Sequence, residues 1–332
     1  MFGKSTLRWT QFIAARLMPA WILVFAAVAM RWSSAFTPWS HATAPALGFV
    51  LFIMGLILDL DRLRVLVRTP WQVLTGSLGK WMIASGVAVV LGYLFFGRHS
   101  PLTDGLIMAG VVPSGTSANL NAMVARGDLP LSIAMSAVDT FVGPLVTPAL
   151  STGFAGSGVH MAYWPFVWKM ALIVFFPLAA GIVLQMAIPV LRRAVQPIGS
   201  ILSALALYVV VLGVVAPASG PLLDHVSLLL PVVAAVVLQI LLQMGLGYLY
   251  ARAVRFDIPA RRSMIFEVGI CNTALAAVLA TQAFGPMAGV VAMANMVCNL
   301  TLGSLAAVWL GSRPAPAANP AAAGDRRAAE LG

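Results

Sequence analysis

Charged residues are scarce in this sequence, and their scarcity excludes a soluble globular protein. Only 9% of the 332 residues are Asp, Glu, Lys or Arg, whereas 61% are hydrophobic, and the mean hydropathy is +0.95. An ordinary soluble domain contains roughly 45 to 50% apolar and about 25% charged residues, which it needs to cover its surface. The sequence therefore predicts a protein whose solvent is the lipid bilayer.

Cysteine and histidine are also rare, and neither lies where it would support catalysis or a metal site. The two cysteines, Cys271 and Cys298, fall within apolar runs and predict no disulfide framework. No apolar run contains a histidine, a G-x-S-x-G pattern or an H-E-x-x-H pattern, which argues against an intramembrane hydrolase. The histidines lie between the runs: His41, His99, His160 and His225. We predict neither an enzyme nor a protein with a cofactor.

The excess of positive charge has a distribution that predicts topology rather than nucleic-acid binding. The net charge is +10, but Lys and Arg occur in short clusters between apolar runs and form no single basic face. If the chain has ten membrane spans, all of these loop residues except Arg31 and Arg98 fall on one side. Because Lys and Arg are enriched in cytoplasmic loops, we predict an inner (plasma) membrane protein with both termini in the cytoplasm.

A transmembrane helix needs about 20 mostly apolar residues, and this sequence divides at clusters of charge, glycine and proline into ten segments of about that length. We predict a cytoplasmic N-terminal segment (1–16), a membrane domain (17–311) and a disordered cytoplasmic tail (312–332). The halves of the domain, about 17–153 and 164–311, have five spans each and therefore opposite topologies, as in inverted-repeat transporters. The predicted spans are 17–30, 44–60, 71–96, 102–124, 129–153, 164–190, 198–216, 222–250, 259–284 and 286–311.

Two predicted spans contain polar and helix-breaking residues at matching positions of the two halves. Residues 112–119 read Val-Pro-Ser-Gly-Thr-Ser-Ala-Asn, and residues 266–273 read Phe-Glu-Val-Gly-Ile-Cys-Asn-Thr. Irregular backbone is tolerated at membrane depth where it is buried in protein or lines a cavity. We therefore predict interruptions around Pro113 and before Asn272, the alternative for the first being a simple proline kink. The second half-helices, beginning near Thr116 and Asn272, would direct their N-termini inward and favour an anionic group.

These two motifs resemble those of the bile acid:sodium symporter family, whose crossing unwound helices read Pro-Gly-Gly-Thr-Ala-Ser-Asn and Glu-Val-Gly-Met-Gln-Asn. The likeness extends to residues 125–128, Ala-Arg-Gly-Asp, and to Asn299 with Gly303 and Ser304, so that it covers essentially the whole chain up to the tail. The resemblance implies an all-α membrane fold of ten helices in two inverted five-helix repeats. A core domain containing crossing discontinuous helices 4 and 9 would pack against a panel domain. It also implies symport of sodium with a bile acid or a small carboxylate such as pantoate.

The resemblance further implies the ligands of a first sodium site. A serine of the family is replaced here by Ala118, and we expect the neighbouring Ser117 to compensate. Ser132, Ser136 and Asp139 are spaced so that they share one helix face, which independently places oxygen ligands together. The alternative is that these serines bond only within their own helix or pack between helices. The expected cation ligands are Ser117, Asn119, Ser132, Ser136 and Glu267, and the expected substrate ligands are Ser114, Thr116, Asn119 and Asn272.

The family's second sodium site uses two glutamines, and here Lys80 and Cys271 stand at those positions. The resemblance therefore implies one sodium rather than two. An unpaired charge at the bilayer centre costs at least roughly 2.5 to 3.5 kcal/mol, so we expect Lys80, Asp139 and Glu267 to form one buried cluster that accepts a monovalent cation. Lys80 would replace a sodium ion or carry a transported proton; the alternative is a purely structural ion pair. Lys169, beside Trp164 and Trp168, is predicted to be an interfacial residue.

The sequence thus favours a secondary active transporter that couples a small organic anion to one sodium ion or a proton by alternating access. The alternative is a sodium-independent facilitator or channel-like pathway in which Lys80 replaces the coupling ion. A channel could use the same polar residues, but paired interrupted helices favour alternating access. The predicted partners are the anion and the lipid bilayer, without nucleic acid.

Overall fold

The computed structural model describes residues 18–59, 69–156, 162–224 and 226–313. In these residues the chain is helical apart from turns and one isolated β-bridge between Ser114 and Cys271. The predicted segment 1–16, most of the predicted tail, and His160 and His225 lie outside the described residues.

The main helices are α1 (Met18–Arg31), α2 (Thr43–Ile57), α3 (Pro70–Phe96), α4 (Pro101–Gly110), α5 (Thr116–Val124), α6 (Leu129–Phe154), α7 (Tyr163–Ala187), α8 (Pro189–Val195), α9 (Gly199–Asp224), α10 (Leu229–Ala253), α11 (Ile258–Gly269), α12 (Thr273–Phe284) and α13 (Pro286–Gly311).

Most of these helices are long and apolar enough for a membrane. Within the described ranges, seven helical segments could cross a bilayer by length and composition. The shorter helices Ala20–Arg31 and Thr273–Phe284 are also apolar. The all-helical expectation is confirmed for this part of the chain, whereas the inverted repeat of ten helices stays a prediction. The seven segments are Ser33–Ile57, Pro70–Phe96, Leu129–Phe154, Tyr163–Ala187, Gly199–Gly220, Val226–Ala253 and Pro286–Gly311.

The starts of four helices are fixed by side chains that accept hydrogen bonds from the first turn. Such caps satisfy backbone N–H groups that have no partner within the helix. Three of the four capped helices, α4, α6 and α11, also have proline in the first turn, where its missing N–H group costs nothing. The capping residues are Ser100, Asp128, Asp257 and Asn272.

The largest error in the predicted spans arises where proline does not end a helix. The predicted span 198–216 stops before Pro217, but α9 continues through that residue to Asp224. The following span, predicted as 222–250, consequently begins later, at Leu229. Proline is tolerated inside membrane helices because neighbouring helices and local adjustments satisfy the backbone groups that it frees.

The helices pack in two groups. Helices α1, α2, α7 and α9 pack on one another, and α3, α4, α10, α11, α12 and α13 form the second group together with α5 and α6. Contacts of α9 with α13 and of α7 with α6 join the groups. The interrupted pairs, α4–α5 and α11–α12, both belong to the second group, so the polar residues at their breaks lie inside it.

Candidate functional site

The two predicted interruptions are present, and they lie against each other. Residues 111–115 separate α4 from α5, and residues 270–272 separate α11 from α12. The two segments run antiparallel, with the Asn272 N–H group donating to the Pro113 carbonyl at 2.8 Å. A second, longer bond of 3.5 Å runs from the Gly115 N–H group to the other segment. Each break therefore provides the other with hydrogen-bond partners, which lipid could not provide.

The close approach of the two segments depends on Gly115. A Cβ atom at this position would lie 3.0 Å from the Cys271 carbonyl oxygen and 3.3 Å from the Asn272 Cα atom. The φ angle of Gly115 is −94°, an ordinary value, so glycine is needed here for space rather than for backbone conformation. A larger residue would require the two segments to shift by a few tenths of an ångström.

Beside the crossing, polar side chains from three elements surround the carboxylate of Glu267, which is fully buried in the last turn of α11. The Ser114 hydroxyl donates to Glu267 Oε2 at 2.6 Å. The Ser132 hydroxyl, from α6, lies 2.5 Å from Oε1, and the Ser136 hydroxyl lies 3.1 Å from Oε2. The amide oxygen of Asn119, on α5, lies 2.7 Å from Ser132 Oγ. We call these five residues the oxygen cluster.

The oxygen cluster contains more oxygen–oxygen contacts than hydrogen atoms that could form hydrogen bonds in them. Its six oxygen atoms make seven contacts of 2.5 to 3.3 Å, but only the three serine hydroxyls carry a hydrogen. Most of these contacts therefore lack a hydrogen of their own, and oxygen lone pairs face one another. A small hard cation, or a proton on the carboxyl group, would relieve that repulsion, since such cations prefer oxygen ligands.

One carboxylate with neutral oxygens suits a monovalent ion better than a multivalent one. Among the described residues, no group of three or more His, Cys, Asp or Glu is placed to hold a metal ion. The structure thus gathers four of the predicted cation ligands: Asn119, Ser132, Ser136 and Glu267.

Two predicted residues have different surroundings from those expected. Ser117 forms no hydrogen bond with the oxygen cluster, so in this conformation it does not compensate for Ala118, whose side chain packs in an apolar cluster. Ser114, predicted to bind substrate, donates to Glu267 in this structure, and its contact with substrate stays a prediction. Its position on the break itself brings it to the carboxylate.

The remaining predicted substrate residues lie at the two half-helix N-termini. Thr116 is the first residue of α5 and is exposed. Asn272 precedes α12, and its Oδ1 atom accepts from the Leu275 N–H group at 3.1 Å. Asn272 is therefore a helix cap, with its side-chain nitrogen as the group that remains to meet a ligand.

A second polar cluster is centred on Lys80, which is 1% exposed. Its Nζ atom donates to the Val112 carbonyl oxygen of the first break at 2.8 Å and lies 3.5 Å from Asp139 Oδ2. The same atom lies 3.6 Å from the centroid of a Trp81 ring, and the Trp81 Nε1–H group donates to Asp139 Oδ1 at 3.1 Å. We call Lys80, Trp81, Val112 and Asp139 the lysine cluster. Its two charges neutralise each other, and the tryptophan contacts both.

Lys80, Asp139 and Glu267, which the sequence predicts to form one buried cluster, are all buried, and two of them are directly paired. The described residues contain a Lys80–Asp139 pair, whereas Lys80 and Glu267 form no ion pair within 4.0 Å. Cys271, which with Lys80 occupies the two glutamine positions of the family's second sodium site, donates from Sγ to Asn295 Oδ1 at 3.4 Å. Sequence reasoning missed Trp81, although its position next to Lys80 and deep in a span, rather than at an interface, was an available signal.

A bundle of apolar helices that encloses two buried polar clusters at a helix crossing defines a multi-pass membrane protein. The model of the Sodium Bile acid symporter family matches residues 44–224. The uncharacterized sodium-dependent transporter YocS of Bacillus subtilis (strain 168) is 32% identical to this chain over 303 residues, or 89% of the chain and 91% of that protein. The chain belongs to the sodium bile acid symporter family, whose members are transporters rather than enzymes.

Plant relatives extend the similarity over almost the full chain. The probable sodium/metabolite cotransporter BASS1, chloroplastic, of Arabidopsis thaliana is 28% identical over 324 residues, covering 94% of this chain and 78% of that protein. The protein of the same description from Oryza sativa subsp. japonica is 28% identical over 300 residues, covering 89% and 73%. Sodium dependence is therefore part of the description of both bacterial and plant relatives.

Proposed function

We propose that this chain is a symporter that moves a small organic anion, such as pantoate or another monocarboxylate, or a bile acid, with one sodium ion across the inner membrane. The oxygen cluster carries this proposal. It consists of Glu267 and four neutral side chains from the first break, α5 and α6. Their oxygen atoms are in close contact, but there are fewer hydroxyl hydrogens than oxygen–oxygen contacts. One sodium ion among these atoms would bind them together and neutralise the carboxylate.

The substrate would bind at the crossing, next to the cation. The N-termini of α5 and α12 begin there, and the positive ends of both helix dipoles favour a carboxylate. Thr116 and the side-chain nitrogens of Asn119 and Asn272 are the groups that we expect to orient it. A cation that draws α5, α6 and the first break together would preorganise this anion site, which couples the two binding events.

Alternating access would arise from movement between the two helix groups. The antiparallel pairing of two similar breaks supports the ten-helix inverted repeat, with α4–α5 and α11–α12 as the discontinuous helices. Lys and Arg counts outside the spans support cytoplasmic termini.

Lys80 would serve as a permanent cation at the place where the family resemblance implies a second sodium site. Its ammonium group contacts a backbone carbonyl of the break and a carboxylate, two groups that a sodium ion would also contact. We therefore propose a stoichiometry of one sodium per anion. A Hill coefficient for sodium near 1 is expected, and replacing both Lys80 and Cys271 by glutamine should raise it.

Uptake into proteoliposomes tests this function. Radiolabelled pantoate and taurocholate would be offered with a sodium gradient or a proton gradient, imposed separately. Sodium-driven uptake that Glu267→Ala abolishes is the expected result. The matched control is Asp104→Asn, since Asp104 is equally buried but accepts from the Gly156 N–H group, away from the oxygen cluster. Proton-driven uptake without sodium would overturn sodium coupling and make Glu267, Asp139 or Lys80 the proton carrier.

The fixed charge of Lys80 also favours a second candidate, a facilitator without a coupling ion. In that case uptake would follow the gradient of the anion alone, and neither sodium nor protons would change its rate.

A further inference from the structure

Arg262, in the second turn of α11, is a buried cation that has no part in the sites described so far. It is only 7% exposed, and it forms no ion pair with any described residue. Its Nη1 atom donates to the carbonyl oxygen of Ala125 at 2.9 Å. A buried charge without a countercharge is unfavourable, so Arg262 requires polar surroundings that favour a cation.

The contact with Ala125 provides such surroundings, because Ala125 is the C-terminal capping residue of the half-helix α5. The last carbonyl groups of a helix have no partner within it, and they form the negative end of the helix dipole. Arg262 therefore caps α5, as basic side chains near helix C-termini commonly do. An isolated helix of nine residues is not stable by itself, so α5 depends on contacts of this kind.

The rest of the contact between α5 and α11 is apolar. Ala118, Ala122 and Ala125 are fully buried, share one face of α5 and pack in the same apolar cluster as Phe266 of α11. Such packing brings two helices close together but is not directional, so it does not fix how far α5 rotates or slides. A hydrogen bond does depend on direction. The bond from Arg262 is therefore the contact that can fix the orientation of α5.

The same end of α11 also holds the turn that joins α5 to α6. The Asp128 N–H group donates to the Pro259 carbonyl at 3.1 Å, and the Ser263 hydroxyl donates to the Asp128 carbonyl at 2.8 Å. A Cβ atom at Gly127 would lie only 2.7 Å from Ser263 Oγ, so the turn lies directly on α11. The helix that carries Glu267 thus contacts the start of α6 and the end of α5.

We propose that Arg262 is a positioning residue of the cation site, which orients α5 so that the amide oxygen of Asn119 reaches the oxygen cluster. That oxygen lies 2.7 Å from Ser132 Oγ and 3.2 Å from Ser136 Oγ. Arg262 contacts neither the ion nor the substrate and acts only through α5. One helix, α11, then carries both the charged ligand of the ion and the residue that positions a neutral one. This inference rests on the proposed function, because it concerns the same sodium ion.

Titration of the sodium-dependent thermal shift tests this role. Arg262→Met should weaken sodium binding several-fold, and by no more than Asn119→Ala does. Because Arg262 acts through Asn119, the double variant should bind sodium no more weakly than Asn119→Ala alone. Ser114 reaches Glu267 from the first break and not from α5, so the effects of Arg262→Met and Ser114→Ala should add. A purely structural role would lower the unfolding temperature without this selective non-additivity.

Further variants at this position complete the test. Arg262→Gln, whose shorter side chain does not reach Ala125, should behave like Arg262→Met and replaces it if that variant fails to fold. Arg262→Lys keeps a charged donor and should restore part of the sodium affinity. The matched control is Arg261→Met, which should leave the affinity unchanged, since Arg261 donates to the Phe256 carbonyl before α11 and not to α5.

Hydrogen–deuterium exchange in sodium-free buffer separates this inference from the proposed function. Arg262→Met should speed amide exchange in α5 several-fold and leave exchange in α9 unchanged, whereas Arg261→Met should change neither. A wild-type protein without any sodium-dependent shift would refute the proposed function, and exchange in α5 would still decide whether Arg262 fixes this helix. Unchanged exchange in α5, or additive losses of sodium affinity from Arg262→Met and Asn119→Ala, would overturn the inference.

Discussion

The oxygen cluster and the lysine cluster lie beside the same helix crossing, yet they differ in how their charge is balanced. In the lysine cluster, Lys80 and Asp139 neutralise each other, and the ammonium group also holds a backbone carbonyl of the first break. In the oxygen cluster, Glu267 is surrounded by hydroxyl and amide groups, with no Lys or Arg among its hydrogen-bond partners in the described residues. The first cluster has its cation in the sequence, whereas under the proposed function the second binds one from solution.

This difference explains how a single break can be both stable and responsive. The carbonyl of Val112 accepts from Lys80, whose charge belongs to the chain, so we expect the first break to keep its shape whether or not an ion is bound. Ser114, two residues later, belongs to the oxygen cluster and would respond to the ion. An ion-dependent change is therefore expected at the start of α5 rather than at the end of α4.

The largest effect should come from removing the unbalanced charge. Glu267→Gln keeps the shape of the side chain but should weaken sodium binding at least about 100-fold, since losing a charged ligand costs about 3 kcal/mol. The measurement is the shift in thermal unfolding between sodium chloride and choline chloride at equal ionic strength. Without sodium, the variant should be at least as stable as the wild type, because no carboxylate is left to repel its neighbours. A sodium-induced shift equal to that of the wild type would show that the ion binds elsewhere.

Breaking the internally balanced cluster should mainly affect stability. Lys80→Met leaves the carboxylate of Asp139 buried without its cation, which typically costs about 3 to 5 kcal/mol. Lys80→Met with Asp139→Asn should recover much of that loss in thermal unfolding. As a control, Arg192→Met removes an exposed partner 3.8 Å from Asp59, and exposed pairs contribute only about 0 to 1 kcal/mol. If the double variant is no more stable than Lys80→Met, the lysine is held by Val112 and Trp81 rather than by Asp139.

Local chemistry made both breaks predictable from the sequence. Proline and glycine at 113 and 115, and an amide at Asn272, conflict with an apolar helix strongly enough to be recognised without a structure. The spacing of Ser132 and Ser136 similarly indicated a common helix face that turns toward Glu267. In each of these predictions, a few residues that are close in sequence determine the local backbone conformation or the helix face.

Features that depend on distant packing could not be predicted. The π-helical turn Ala171–Phe175 in α7 and the 3₁₀ segment Thr37–Ala42 have no distinctive local pattern. Lys169 and Gln282 line the same cavity, although they lie more than a hundred residues apart in sequence. The sequence predicts the role of Lys169 from its neighbouring tryptophans alone, and only the three-dimensional structure shows that it has no carboxylate partner among the described residues.

A hydroxyl group of the oxygen cluster should have an intermediate effect. Ser132→Ala removes the closest neutral neighbour of Glu267, and a neutral ligand worth about 1.4 kcal/mol corresponds to about tenfold weaker sodium binding. The control is Ser151→Ala on the same helix, because that buried hydroxyl donates only to the Pro148 carbonyl of its own turn. Titration of the sodium-dependent thermal shift measures both. Equal affinities in the two variants would mean that Ser132 serves helix packing rather than the ion.

The smallest effect is expected at Ser117, the residue that the sequence suggested as a substitute for the missing serine at 118. Because Ser117 makes no hydrogen bond with the oxygen cluster, Ser117→Ala should change the sodium affinity less than about twofold in the same titration. The comparison with Ser132→Ala, in the same background and buffer, controls for the loss of a hydroxyl group. A tenfold loss at Ser117 would contradict the geometry described above. It would mean that α5 rotates when sodium binds and brings Ser117 to the ion, so the ion-bound and ion-free states would differ in the orientation of α5.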